Sequence, residues 1–227
     1  MTTPLSLVVL DMAGTTVDDG GAVYTALREC VEALGVVVDD ESLQAWMGAD
    51  KRTAIRALAG DLATPDVVET AYADFAARLE RFYGERPPVP IEGVREAFEQ
   101  LRSAGIKIAL TTGFAHDVAD PLIEAIGWTP GAEGSPVDAI VCADDVAAGR
   151  PAPYMIFHAM EAAGAVSTSA VLVGGDTVVD VEAGTNAGAA YVVGVLTGQL
   201  SAEQLAKAPH TDILPSVAAI PELLGIG

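Results

Sequence analysis

The sequence predicts an α/β protein: a doubly wound parallel sheet with an all-helical domain inserted near its start. Three observations carry this expectation. From about residue 93 to 195, short apolar runs alternate with segments of helical periodicity, the pattern of a sheet buried on both faces by crossover helices. Residues 18–84 hold helix-period segments and no convincing strand. The run Gly84-Glu85-Arg86-Pro87-Pro88-Val89-Pro90 then stops the last of these helices, because proline lacks the backbone donor and clashes with the preceding turn. The expected division is a sheet domain over 1–17 and 90–227 and a helical domain over 18–89. A chain of 227 residues can bury a core of that size.

Taken in order, the first strand is Leu7-Val8-Val9-Leu10, which ends in Asp11. Over 22–34, Val23, Ala26, Leu27, Cys30, Val31 and Leu34 recur at helical spacing. A second helix starts at Asp40 or Glu41, and a third covers 51–59 with Ile55 and Leu58 on one face. Pro65 after Thr64 opens a fourth that runs to about 83, since proline is preorganised for a first helical turn. After the linker the spacing predicts helices over 93–104, 116–126, 153–163 and 179–187. The intervening strands are expected over 106–110, 139–142, 170–173 and 191–195.

The net charge of −20 argues against nucleic acid as a partner, because a phosphate backbone requires a basic patch. It also repels small anions at long range, so a phosphate site would need local positive charge. Of itself the acidity reads as solubility. The two cysteines, Cys30 and Cys142, read as buried reduced thiols, with no Cys/His pattern for zinc. No signal-like segment and no membrane-length apolar stretch is present, so the expectation is a cytoplasmic protein without a membrane partner.

Chemistry is concentrated in two distant segments. Asp11-Met12-Ala13-Gly14-Thr15 and Gly174-Gly175-Asp176-Thr177-Val178-Val179-Asp180 each follow an apolar run. Adjacent parallel strands would gather Asp11, Asp176 and Asp180 round one crevice at their C-terminal ends. Like carboxylates crowd at a cost unless a cation neutralises them, and magnesium suits such oxygen ligands. The pattern points to phosphoryl chemistry with Asp11 as nucleophile and Asp176 as the second metal carboxylate. Asp180, one helical turn on, would hold the metal or orient Asp176 and bound water. Thr112 ends a strand before Gly113, placing a hydroxyl and approachable backbone N–H groups near a phosphoryl oxygen, with Thr111 as the neighbouring alternative. Arg150 would supply the fixed positive charge.

Four segments in order carry a resemblance. They are Asp11–Asp18, Leu110-Thr111-Thr112-Gly113, Ala148-Gly149-Arg150-Pro151-Ala152-Pro153 and Gly175–Asp180. Together they resemble the motifs of the haloacid dehalogenase superfamily of hydrolases, and its phosphonatase branch in particular, over nearly the whole chain. The resemblance implies a Rossmann-like core with a helical cap that closes to exclude water. It implies Mg²⁺ held by Asp11, the Ala13 carbonyl, Asp176 and Asp180, and further phosphoryl donors at Gly14 and Thr15. Phosphatases of the superfamily carry a second aspartate two residues after the nucleophile to protonate the leaving oxygen. Here that position is Ala13, as in phosphonatases, whose leaving group is carbon.

Met47-Gly48-Ala49-Asp50-Lys51 likewise resembles the Met-Gly-x-x-Lys segment that carries the imine-forming lysine of phosphonatases, with Met47 lining the pocket. For imine chemistry the Lys51 pKa must be lowered by burial or by neighbouring cations such as Arg52 and Arg56. Two positions depart from that branch: Ala54 and Gly21 stand where it has histidine and cysteine. His116 reads as a surface residue at a helix start. The implied function is P–C bond cleavage in phosphonoacetaldehyde or a similar small phosphonate, by Lys51, Asp11, Thr112 and Arg150. The alternative is a phosphatase for a small phosphate monoester in which Lys51 only binds the anion. A homodimer through the cap is implied by the same resemblance.

Overall fold

The sheet grows outward from its first strand in both directions. In the computed structural model, which describes residues 4–226, the chain runs β1 (Leu7–Asp11), β2 (Val17–Asp18), α1 (Ala22–Glu32), α2 (Asp40–Ala45), α3 (Lys51–Ala59), α4 (Pro65–Glu85) and β3 (Val89–Pro90). It continues through α5 (Val94–Ser103), β4 (Lys107–Thr111), α6 (His116–Ile126), β5 (Ala139–Val141), α7 (Tyr154–Ala163), β6 (Val171–Gly175) and α8 (Val178–Ala187). The last elements are β7 (Tyr191–Val195), α9 (Ala202–Leu205), β8 (Asp212–Leu214) and α10 (Ile220–Leu223). Residues 1–3 and 227, at the ends of the predicted sheet domain, lie outside the described residues.

Six strands pair in the order β5-β4-β1-β6-β7-β8, every pair parallel. The chain works outward from β1 to β4 and β5, then restarts on its other side with β6. The switch point therefore lies between β1 and β6, where a parallel sheet opens its crevice. Register places Asp11 beside Thr111 and Leu10 beside Gly174. Residues 7–10 of β1 are wholly buried, and their alternation splits the interior in two. Val8 and Leu10 join one core with Phe98 of α5, Leu122 of α6 and residues of α1, α3 and α4. Leu7 and Val9 face a second core with Met155 and Ala159 of α7 and Ala183 of α8.

The four helices between β2 and β3 match the predicted helical stretch. Thr64 caps α4 at Val67 N–H and Asp50 caps α3 at Thr53 N–H, as short polar side chains before a helix do. Two features differ from expectation. A small antiparallel pair, β2 with β3, joins the two crossings between the helices and the sheet. Two-residue strands carry no periodicity, and Pro90 reads as a strand breaker although an edge tolerates it. The sheet also gains β8 beyond residue 195, where the short α9 and partly exposed Asp212–Leu214 leave no clear apolar run. Among the described residues no helix is long and apolar enough to cross a membrane.

Candidate active site

At the switch point the carboxylates are held by reciprocal bonds. Arg150, buried, places Nη1 2.6 Å from Asp11 Oδ1 and 2.6 Å from Asp180 Oδ1, and Nη2 donates to Thr111 Oγ1 at 2.7 Å. Asp180 is the third residue of α8, and its Oδ2 reaches back to accept from Thr177 N–H at 3.0 Å and Thr177 Oγ1 at 2.5 Å. Asp176 Oδ1 accepts from Thr15 Oγ1 at 2.7 Å. Its other oxygen is cradled by two glycines. A Cβ on Gly198 would lie 1.9 Å from Asp176 Oδ2, and one on Gly14, whose φ is +89°, would lie 2.7 Å away.

One oxygen from each of Asp11, Asp176 and Asp180 falls within a 4.8 Å cluster, all three buried. Burial first, then the charges of Asp11 and Asp180, hold the Asp176 carboxyl well above the usual carboxylate range. Burial also raises Asp180, with Arg150 opposing. One arginine thus faces three carboxylates, which suits a hard divalent cation. The donors fit as well. Asp11 Oδ2 and Asp176 Oδ2 accept no hydrogen bond among the described residues. The Ala13 carbonyl takes no part in its turn, where Thr15, Thr16 and Val17 all donate to Met12 O. Asp180 differs, since both its oxygens are engaged by Arg150 and Thr177, and it is placed to fix the site's geometry.

Lys51 enters from the helical side as the first residue of α3. Its side chain is buried, Nζ donates to Ala49 O at 3.0 Å, and it lies 5.7 Å from the Phe114 ring centre. Burial pushes its pKa down to about 8, with Asp11 opposing and Arg150 adding to the fall. Arg52 and Arg56 are not the cause. Arg52 stacks on Tyr72 at 3.6 Å and pairs with Glu69, while Arg56 is exposed. The preceding loop lies directly on the sheet's edge: a Cβ on Gly113 would lie 2.5 Å from Ala49 O, and one on Gly48 2.5 Å from Thr177 Oγ1.

Beneath this loop is a cavity of about 30 Å³ whose lining includes Asp11, Ala13, Val23, Tyr24, Met47, Lys51, Thr112 and Asp176. A larger cavity of about 580 Å³ adjoins it and shares Ala13, Val23, Tyr24, Met47 and Asp176. Thr112 therefore faces the small cavity and Thr111 the arginine, as strand alternation requires. Thr15 is fully buried with its hydroxyl on Asp176, so that group orients a carboxylate where the sequence suggested a substrate donor. Gly14 presses on the same carboxylate, and its carbonyl accepts from Thr197 Oγ1 at 2.6 Å. Ala54 is wholly buried in the apolar core. No histidine lines either cavity, and His116 is paired with Asp120 and Asp145, which raise its pKa to about 9. Tyr24, Thr197 and Gly198 went unread in the sequence because none belongs to a recognisable motif.

A model of haloacid dehalogenase-like hydrolases matches residues 5–188. Phosphonoacetaldehyde hydrolase of Bacillus cereus is 33% identical over 208 residues, covering 86% of this chain and 76% of the relative. The protein of that name from Bacillus anthracis gives the same figures, 33% identity with 86% and 76% coverage. Among solved structures, a phosphonoacetaldehyde hydrolase-like protein from Oleispira antarctica superposes with a TM-score of 0.86 at 24% identity, over 99% of this chain and 92% of that one. A β-phosphoglucomutase from Clostridium difficile superposes at 0.80 with 16% identity, over 97% of each chain, a likeness of fold.

Proposed function

The chain belongs to the haloacid dehalogenase-like hydrolase family, and we propose that it is a magnesium-dependent phosphonatase that cleaves the P–C bond of phosphonoacetaldehyde or a similar small aldehyde phosphonate. The observation that carries this reading is Lys51. It is buried in the same cavity as Asp11, with its pKa brought down to about 8, so the neutral amine that attacks an aldehyde is accessible near neutral pH.

In this mechanism Lys51 Nζ condenses with the aldehyde, and water leaves as the imine forms. Asp11 then attacks phosphorus, and the P–C electron pair passes into the protonated imine to give an enamine. Water hydrolyses the aspartyl-phosphate, and the protonated enamine is hydrolysed to acetaldehyde. Arg150 holds one Asp11 oxygen at 2.6 Å, which fixes the orientation of the carboxylate. Thr112 is assigned a hydrogen bond to a phosphoryl oxygen. Bound magnesium, held by Asp11, Asp176 and the Ala13 carbonyl, would offset the charge between the nucleophile and the phosphoryl group. Residues 18–89 act as a cap that excludes water, a role supported by the packing of the Met47–Lys51 loop on Gly113 and Thr177. A cytoplasmic setting belongs to the same reading, with both cysteines free and buried.

A second reading, a phosphatase for small phosphate monoesters with Lys51 binding the anion, is favoured by one observation. The cavities contain no histidine to manage imine proton transfers, and Ala54 packs in the core. The deciding experiment supplies phosphonoacetaldehyde with magnesium, with and without borohydride. Equal release of acetaldehyde and phosphate, plus borohydride inactivation mapping to Lys51, is the expected result. Phosphate release from esters alone would establish the second reading.

A further inference from the structure

Both cavities are lined by a tyrosine that the mechanism above does not use. Tyr24, in the first turn of α1, carries a buried hydroxyl with no hydrogen-bond partner among the described residues. A buried polar atom without a partner lowers stability, so its retention needs a reason. Its surroundings provide one. Tyr24 lines both the small cavity that holds Asp11 and Lys51 and the larger one beside it. Burial, and then the charges of Asp176, Asp19 and Asp11, raise its pKa, so the phenol keeps its proton as a donor throughout the neutral range.

The two cavities also divide the substrate. The phosphoryl end belongs with Asp11, Arg150 and Thr112. The small cavity, at about 30 Å³, has room for little else. The larger cavity is lined by Asp18, Asp19 and Glu92 and by no lysine or arginine, so it repels a phosphoryl group and suits the neutral part of the molecule. The bond to be broken therefore lies where the cavities meet. There this chain has Ala13 in place of a leaving-group acid, and neither cavity is lined by a histidine or a cysteine.

We propose that Tyr24, which lines both cavities, is a catalytic residue whose hydroxyl donates a hydrogen bond to the oxygen borne by the departing part of the substrate. The role rests on the hydrolase reading and deepens it. With an aldehyde phosphonate the acceptor is the carbonyl oxygen. As Lys51 Nζ bonds to the carbonyl carbon, the C=O π pair moves onto that oxygen, where the Tyr24 O–H stabilises it. The oxygen then departs as water with one proton of the neutral amine and one taken up from solvent, which leaves the imine protonated, and Tyr24 retains its own. With a phosphate ester the acceptor is the bridging oxygen, whose charge grows as the P–O bond breaks.

The test compares wild type with Tyr24→Phe on phosphonoacetaldehyde, an alkyl phosphate and an aryl phosphate, with melting temperature and the rate of borohydride trapping at Lys51 recorded. Because the hydroxyl is unbonded, the variant should melt no lower than wild type. If wild type cleaves phosphonoacetaldehyde, the variant should lose about 10- to 100-fold in kcat and trap Lys51 correspondingly more slowly, with little change in KM. If wild type cleaves only esters, the phosphonatase reading fails while Tyr24 is still tested. The variant should then lose at least about tenfold on the alkyl ester relative to the aryl ester, whose leaving oxygen needs little help. That ratio cancels any difference in folded fraction. Unchanged kcat on the substrate that wild type turns over, or equal losses on both esters, would overturn the proposal.

Discussion

The sheet's edge and the helical segment α1–α4 meet in one crevice, yet they bring groups of opposite kind. On the sheet side each charged group has at least one fixed partner. Arg150 binds Asp11, Asp180 and Thr111, Asp180 also holds Thr177, and Asp176 is tied to Thr15. On the helical side, among the described residues, Lys51 donates only to the carbonyl of Ala49, two residues away, with the Phe114 ring beside it, and the Tyr24 hydroxyl has no partner. Charges fixed by mutual bonds form a preorganised environment that needs no rearrangement during reaction. Bonding capacity left unused is what a substrate can take up. In the proposed function the sheet would supply the charge balance of phosphoryl transfer, and the helices what selects the molecule attached to phosphorus.

The largest break in this comparison should come from Asp11→Asn, which removes the nucleophile from the sheet side. Turnover of every phosphorylated or phosphonate substrate should fall on the order of 10⁴-fold or more, measured as phosphate release. Lys51→Arg, on the helical side, should discriminate between substrates. It retains a cation but no nucleophilic amine, so aldehyde-phosphonate cleavage should fall on the order of 10³-fold. Retention of that activity would reduce Lys51 to an anion-binding role. In wild type the trapping rate should climb with pH toward about 8 and then level, because protonated Lys51 is unreactive below its pKa and the free amine predominates above it.

Smaller effects sharpen the picture. Thr15→Ala frees Asp176 from its 2.7 Å hydrogen bond and should weaken magnesium binding about tenfold, read by calorimetry, with the fold intact. Tyr72→Phe removes the 2.7 Å bond from α4 to Asp117 of α6, outside the crevice. It should cost about 1 kcal/mol in urea denaturation and leave substrate selectivity unchanged.

The strands of the sheet were legible because each buried strand is a local apolar run, and the site's carboxylates because they follow such runs directly. β1 and β6 illustrate both points. The short β2–β3 pair and β8 were not legible, since two or three half-exposed residues leave no periodic signal. Within the site, the residue types of Asp11, Asp176, Lys51 and Arg150 could be named in advance, but their partners could not. Only the strand's orientation separates Thr111 from Thr112, and the Thr15 hydroxyl, which the motif offers as a substrate donor, bonds a residue 161 positions away that no local pattern links to it.

By itself, then, the sequence determined the fold class, the order of the motifs and the family, all of which rest on local patterns of apolar runs, turns and carboxylates. Only the tertiary structure decided that Arg150 bridges Asp11 and Asp180, that burial and Arg150 lower the Lys51 pKa in place of Arg52 and Arg56, and that Tyr24, which lines both cavities, has a hydroxyl with no partner among the described residues. The physical reason is that burial and Coulomb energy depend on distance in space, and residues far apart in the chain become neighbours only once the sheet has closed its switch point.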